Sequence, residues 1–88
     1  MAVYLITYDL KKPGQNYGNL YEEIKSLGDW AHYLESVWFV DTSFTSTQIR
    51  ERLLPHIDQN DNLFICRVVR DYDGWAHKEL WKWLSERV

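Results

Sequence analysis

The fold is decided by the opening run AVYLITYD, residues Ala2–Asp9. The segment from Ala2 to Tyr8 is too short for a helix and rich in residues that favour strands, so we predict a β-strand there. Apolar side chains fall on both faces of this strand: Val3 and Leu5 on one, Tyr4, Ile6 and Tyr8 on the other. Because a strand with two apolar faces is covered on both sides, it belongs in the centre of a sheet.

Three helical segments follow the first strand. Apolar residues at spacings of three and four predict a helix over 17–27, with Gly28 as a left-handed stop. Thr45 and Gln48 form a capping-box pattern, so the second helix begins there. The chain closes with an amphipathic segment over 75–88, which is predicted to be helical from Trp75 to about Arg87.

The sequence predicts the remaining extended segments less clearly than the helices. A Pro13-Gly14 turn signal ends the first strand, and residues 63–69 read as a further strand. Residues 29–42 are extended, with room for one long bent strand or for two short strands turning near Glu35-Ser36. Because Glu-Ser is a poor hairpin pair, local sequence preferences leave both alternatives open.

Strands interleaved with helices predict one α+β domain over residues 1–88, a sandwich with helices on one sheet face. Helices of so short a chain are expected to shield one face only. The chain also has five Trp and six Tyr, more aromatic surface than a small core needs. We therefore expect a second copy to cover the other face, giving a homodimer.

Composition narrows the function classes. Ten Lys and Arg against thirteen Asp and Glu give a net charge of −3. This charge argues against a protein that coats nucleic acid through its overall positive charge. A local basic strip such as Lys11-Lys12 could still contact phosphate. Cys66 is the single cysteine, so an internal disulfide is excluded. No apolar run is long enough for a membrane span, and no basic segment precedes the apolar start. We therefore expect no membrane partner and a cytoplasmic location.

Asp9 is the first candidate for chemistry. It ends a central strand where a loop begins, a common position for ligand-binding groups, and its carboxylate oxygens suit Mg²⁺ or another hard cation. The alternative is an aspartate that ends the strand by accepting hydrogen bonds from loop N–H groups. The three histidines have no metal-ligand spacing, and the glycines form no phosphate-binding motif.

Two segments of the chain resemble the CRISPR-associated protein two and VapD superfamily, and within it the small SinR-like branch. The first is Tyr4–Leu10, a hydrophobic strand that ends in Tyr-Asp. The second is Leu34–Phe39, in which Ser36-Val37-Trp38 matches the family's Ser-Val-aromatic segment. The resemblance spans about Val3 to Val69. It implies a ferredoxin-like βαββαβ domain with an antiparallel sheet, helices on one face, an added C-terminal helix and a homodimer through the open face. It also implies two strands meeting near Glu35-Ser36.

The same resemblance implies a metal-dependent endonuclease acting on RNA or DNA. In nuclease members of the family, strand-end aspartates of two protomers bind one divalent ion, and Asp9 is the matching position. Ser36 matches the family's serine, which positions a phosphate or ligand. Lys11 and Lys12 are the residues expected to contact phosphate. Mg²⁺ is the cofactor that this activity implies.

A second functional hypothesis involves no catalysis. In it the chain is a dimeric binding module that docks a protein or nucleic acid through the tryptophans of its last segment, Trp75, Trp81 and Trp83. A third hypothesis gives the terminal helix a structural role, in which it completes the core.

Overall fold

The computed structural model describes residues 1–12 and 16–88, and there it has a four-stranded antiparallel sheet and three α-helices. The elements in chain order are β1 (Ala2–Asp9), α1 (Gly18–Lys25), β2 (Asp29–Leu34), β3 (Val37–Thr42), α2 (Ser46–Leu53) with a 3₁₀ turn (Leu54–His56), β4 (Asn62–Arg67) and α3 (Lys78–Arg87). The predicted Pro13-Gly14 turn lies outside the described residues.

The strand order in the sheet is β2-β3-β1-β4, and every neighbouring pair is antiparallel. The predicted central position of β1 is confirmed, because β1 pairs with β3 on one side and with β4 on the other. The chain is therefore an α+β protein with an open antiparallel sheet, an arrangement compatible with the ferredoxin-like type.

Helices α1 and α2 cover the first face of the sheet. Side chains from both helices pack on even-numbered residues of β1 and β3 in one buried cluster: Ile6, Tyr17, Leu20, Ile24, Leu27, Trp38, Val40, Ile49 and Leu53. The capping box at the start of α2 is confirmed, since Thr45 Oγ1 accepts from the Gln48 N–H at 3.2 Å and Gln48 Oε1 accepts from the Thr45 N–H at 2.9 Å. A side-chain hydrogen bond also connects the two helices, in which Arg52 Nε of α2 donates to Glu23 Oε2 of α1 at 2.9 Å.

The second face of the sheet is covered by α3, so the prediction that the chain's own helices cover one face only is wrong. Leu80 and Leu84 of α3 pack on Val3, Ala31 and Phe39 in a second buried cluster. Val3 is only 2% exposed, although it lies on the face that we expected to need a partner. The terminal helix supplies two buried leucines in successive turns, which is enough apolar surface to cover this part of the face.

Coverage of the second face by α3 is incomplete. The register places Phe64 of β4 opposite Thr7 of β1, on the same face as Val3 but nearer the Asp9 end of the strand. Phe64 is 63% exposed there. The open part of this face therefore includes a strip beside the end of β1.

Gly28 ends the first helical segment for a reason that the sequence did not reveal. Its φ is not in the left-handed region, so the predicted left-handed stop is wrong. A Cβ at this position would lie 2.1 Å from the carbonyl oxygen of Asp41, which no side chain can tolerate. Glycine is required here because the chain passes close to the backbone of β3.

Helix α3 begins later than the apolar pattern indicated. It starts at Lys78 rather than near Trp75, and His77 caps it by accepting a hydrogen bond from the Glu79 N–H at Nδ1 over 3.2 Å. Because histidine is not a favoured N-cap residue, this boundary could not be predicted from local preferences. None of the helices in residues 1–12 and 16–88 combines the length and apolar character needed to cross a bilayer.

Candidate functional site

An open cavity of about 600 Å³ lies between the end of β1 and the turn that joins β2 to β3. Its lining combines aromatic, carboxylate, hydroxyl and apolar side chains: Tyr8, Asp9, Leu10, Tyr21, His32, Tyr33, Leu34, Glu35 and Ser36. Both residues predicted to be catalytic, Asp9 and Ser36, are therefore found at one cavity although they come from different parts of the chain. The volume falls within the range of ordinary ligand sites.

Asp9 is the last residue of β1, where it pairs with Asn62 of β4. Its side chain is 64% exposed, and Oδ2 lies 3.5 Å from Nζ of Lys11. An exposed ion pair of this kind contributes only about 0–1 kcal/mol. The carboxylate oxygens of Asp9 therefore remain accessible to another cation or to an N–H donor.

Ser36 occupies the second position of a two-residue turn, because Leu34 pairs with Val37 across the hairpin. The expectation of two strands rather than one bent strand is thus confirmed. Ser36 has φ of 57°, in the left-handed region that costs a residue with a Cβ about 1–2 kcal/mol. Two groups of β1 hold its carbonyl oxygen: the hydroxyl of Thr7 donates to it at 2.8 Å and the N–H of Tyr8 at 3.3 Å. The strand that carries Asp9 therefore also fixes the backbone of Ser36.

Asp61 anchors the start of the loop that follows β1. Its Oδ1 accepts from the Lys11 N–H, and its Oδ2 accepts from the Tyr17 hydroxyl and the Asp58 N–H, each at 2.8 Å. Desolvation raises the pKa of the Asp61 carboxyl, but these hydrogen bonds together outweigh it, so the pKa lies below its usual value. The two predicted phosphate-binding lysines begin this loop: Lys11 is held by its backbone, and Lys12 Nζ lies 3.8 Å from Asp58 Oδ2.

One wall of the cavity consists of Tyr8, Tyr21 and His32, whose rings pack around buried Trp38. The Trp38 Nε1–H donates to the hydroxyl of Tyr8 at 3.1 Å, and the Tyr21 ring stacks on Trp38 at 6.2 Å between centroids. His32 lies on Trp38 at 3.7 Å and 16° between planes. Burial raises the pKa of Tyr8, whereas burial and then the nearby charge of Lys25 lower the pKa of His32. Both side chains are therefore uncharged at neutral pH.

The oxygen donors of the cavity fit a hard cation. Within the described residues, no group of three or more His, Cys, Asp and Glu side chains forms a ready metal centre. Asp9 and Glu35 nevertheless line the same cavity, with the hydroxyl of Ser36 beside them. Mg²⁺ prefers such oxygen ligands and is usually bound through one or two carboxylates while keeping several waters. The donor set of one chain is thus sparse but chemically suited to Mg²⁺.

The three tryptophans predicted to dock a partner differ in their surroundings. Trp81 stacks on Tyr72 with parallel rings at 6.3 Å, and Trp83 lies under the guanidinium of Arg87 at 4.5 Å. Both are partly buried against the second-face cluster. Trp75, which precedes α3, is fully exposed. The structure therefore favours a core role for Trp81 and Trp83 and leaves Trp75 as the accessible ring.

No protein-family model matches the chain. Three residues of the cavity were not singled out from sequence. His32 lay outside any metal-ligand pattern, Tyr21 belonged to a helical apolar stripe, and Glu35 stood beside Ser36 without a role. Of the three, only Glu35 could have been predicted from the sequence, because a turn at Glu35-Ser36 places both side chains at the same strand end.

Proposed function

We propose that the protein is a metal-dependent endonuclease acting on RNA or DNA, and that it works as a homodimer of ferredoxin-like chains. The observation that carries this proposal is that Asp9 and Ser36 line one open cavity. Hard oxygen donors at a strand end, beside a loop with two lysines, are residue types that metal-assisted phosphodiester hydrolysis can use.

Each residue has a distinct role in this proposal. Asp9 and Glu35 would hold Mg²⁺, which when bound lowers the pKa of a water and offsets negative charge on the phosphate. The Ser36 hydroxyl donates a hydrogen bond to a non-bridging phosphate oxygen. Lys11 and Lys12 contact the neighbouring phosphates. In the hydrolysis, the water oxygen bonds to phosphorus while the bond from phosphorus to the leaving sugar oxygen breaks. The attacking water gives up a proton to the solvent, and the leaving oxygen takes up a proton from it.

The dimer part of the proposal concerns the strip of the second face that α3 leaves open. A shallow concavity there is lined by residues from the adjacent ends of β1 and β4: Thr7, Tyr8, Asp9, Asn62, Leu63 and Phe64. A two-fold contact through Phe64 would bury this exposed ring against its own copy. Because Asp9 borders the same concavity, the contact would bring the two Asp9 carboxylates toward each other and add a second set of oxygen donors.

The oligomeric state tests this contact. Sedimentation should show a dimer for the unaltered chain and a monomer for Phe64→Ser. Val69→Ser removes another exposed apolar side chain and should leave the dimer intact, which makes it the matched control. A monomeric unaltered chain at high concentration, or a dimer that survives Phe64→Ser, would remove the proposed pairing.

The activity is tested by cleavage of end-labelled single-stranded and duplex RNA and DNA, with Mg²⁺ and with a chelator in its place. We expect Mg²⁺-dependent cleavage, and we expect Asp9→Asn to slow it by about 100-fold or more. Asp71→Asn changes an exposed aspartate that does not line the cavity, so it should cleave normally and also controls for contaminating nucleases. Cleavage by Asp9→Asn at the unaltered rate would refute the proposal.

A second candidate function rests on the exposure of Trp75. This ring stands at the edge of an apolar cavity of about 280 Å³ beneath α3, whose lining includes Leu5, Phe39, Tyr72 and Trp81. If the chain is a non-catalytic binding module, Trp75→Ala should abolish capture of its partner without changing the melting temperature. Deleting α3 is unsuitable as a test, because Leu80 and Leu84 belong to the core.

A further inference from the structure

We propose that the cavity beside Asp9 holds a single unpaired nucleobase stacked on His32, so that the substrate is single-stranded nucleic acid. This inference rests on the proposed nuclease function and deepens it by naming the substrate class. It is carried by the order of the rings in the cavity wall.

The rings form a column that ends at an accessible imidazole. Trp38 is only 2% exposed and forms the base of the column. His32 lies almost parallel on it, at 3.7 Å between centroids, and is itself exposed at the cavity. A planar ring that is packed on one side and accessible on the other offers a stacking platform, and single-strand binding proteins use such platforms for bases.

The sides of the cavity offer hydrogen-bond acceptors for the edge of a base. The carboxylates of Asp9 and Glu35 each have two oxygens, so one oxygen can accept from the base edge while the other holds Mg²⁺. A nucleobase presents N–H donors and carbonyl acceptors in the plane of its ring, so one ligand can stack on His32 and bond to these groups. Tyr33 closes another side, held in place by His77, whose ring lies at 5.2 Å and 15° from it.

The charge beside His32 favours a neutral planar ligand on the imidazole over a cationic one. The positive charge of Lys25 acts on His32. A cationic ring stacked on His32 would be repelled by this charge, whereas a neutral base would not.

Bases inside a duplex cannot use this platform. Their faces are covered by neighbouring bases and their Watson–Crick edges are paired, so a duplex would first have to unstack and open. A base in a single strand is available at once. The next phosphate along the same strand can then reach Ser36 and the lysines that follow Asp9.

The experiment measures binding without cleavage, by fluorescence anisotropy of a short labelled single strand in a chelating buffer. We expect His32→Ala to weaken binding by roughly 5- to 150-fold, the range that removing one stacked base contact produces. His32→Phe keeps a flat ring and should bind within a few-fold of the unaltered chain. His56→Ala is the matched control, because His56 contacts Glu23 on the helices and does not line the cavity. Circular dichroism melting of each variant separates lost binding from lost folding.

The outcomes distinguish this inference from the nuclease proposal. Strand binding that depends on His32, in a protein that cleaves nothing, would support the base site and refute the nuclease. Asp9-dependent cleavage by a chain in which folded His32→Ala binds normally would refute the base site alone. Equal affinity for the single strand and its duplex, or His32-dependent binding of choline with none of the strand, would also overturn the inference.

Discussion

The two faces of the sheet are covered in different ways. Two helices, α1 and α2, lie on the first face, and several of its side chains have no exposed surface at all: Ile6, Leu20, Ile24, Val40, Ile49 and Leu53. One helix, α3, lies on the second face. It buries Val3 but leaves Phe64 exposed and a cavity of about 280 Å³ beneath itself.

This difference shows which part of the sheet is not needed for the core. The first face is a close-packed core, so substitutions there affect stability. The second face is covered by the single helix α3, which does not extend to the end of β1. Asp9 lies at that uncovered end, next to both the cavity of the β2–β3 turn and the strip around Phe64. Asp9 thus lies where the second face is least completely covered.

The largest expected effect is that of removing α3. A chain that stops before Lys78 loses Leu80 and Leu84 and exposes the apolar residues of the sheet that they cover. Losing two buried leucines at about 2–5 kcal/mol each approaches the whole stability of a small domain. Circular dichroism should therefore show loss of the cooperative thermal transition. A truncated chain that melts as sharply and at the same temperature as the full chain would mean that the cluster on the second face does not stabilise the fold.

A smaller effect on stability is expected when one leucine is replaced on each face. Leu53→Ala and Leu84→Ala each remove a buried side chain, at an expected cost of about 2–5 kcal/mol in the free energy of unfolding. We expect Leu53→Ala to cost more, because Leu84 borders the cavity beneath α3, where neighbouring groups have room to relax. Urea unfolding measures both values. The difference between the faces would be contradicted if Leu84→Ala proved the more costly.

The smallest expected effect comes from the titration of His32. Burial, and next the charge of Lys25, lower its pKa in the folded chain from the usual 6.5, so the unfolded chain binds this proton more readily. The stability that neutral His32 contributes is therefore complete above about pH 6.5 and is lost as the pH falls toward its folded pKa. Urea unfolding at about pH 7.5 and about pH 5.5 should show a larger drop for the unaltered chain than for His32→Gln. Equal drops would show that His32 titrates alike in both states.

Local patterns in the sequence predicted the elements well where one interaction decides the structure. The two-sided apolar pattern of Ala2–Tyr8 indicated a central strand, and Thr45 with Gln48 indicated the start of α2. The reason for Gly28 was missed because it depends on a backbone carbonyl of β3, which no local pattern contains.

The candidate site was predicted in part. Asp9 was identified from its position at the end of a central strand and Ser36 from the family resemblance, and the structure brings both to one cavity. The sequence left the role of α3 open between docking a partner and completing the core, because an amphipathic pattern shows that a helix has an apolar side and not which surface that side covers. The structure confirms the core role for Leu80 and Leu84. His32 was missed for a similar reason, since its stacking on Trp38 is a contact across the β2–β3 hairpin.

The most direct test of the proposed site is a titration of the protein with Mn²⁺ followed by amide NMR spectra. A paramagnetic ion broadens the signals of nearby groups, and Mn²⁺ takes the same oxygen ligands as Mg²⁺. We predict that the amide signals of Asp9, Leu10, Glu35 and Ser36 broaden first and that Asp9→Asn abolishes the effect. Broadening centred elsewhere in the chain, or unchanged broadening in Asp9→Asn, would contradict the placement of the site at the end of β1.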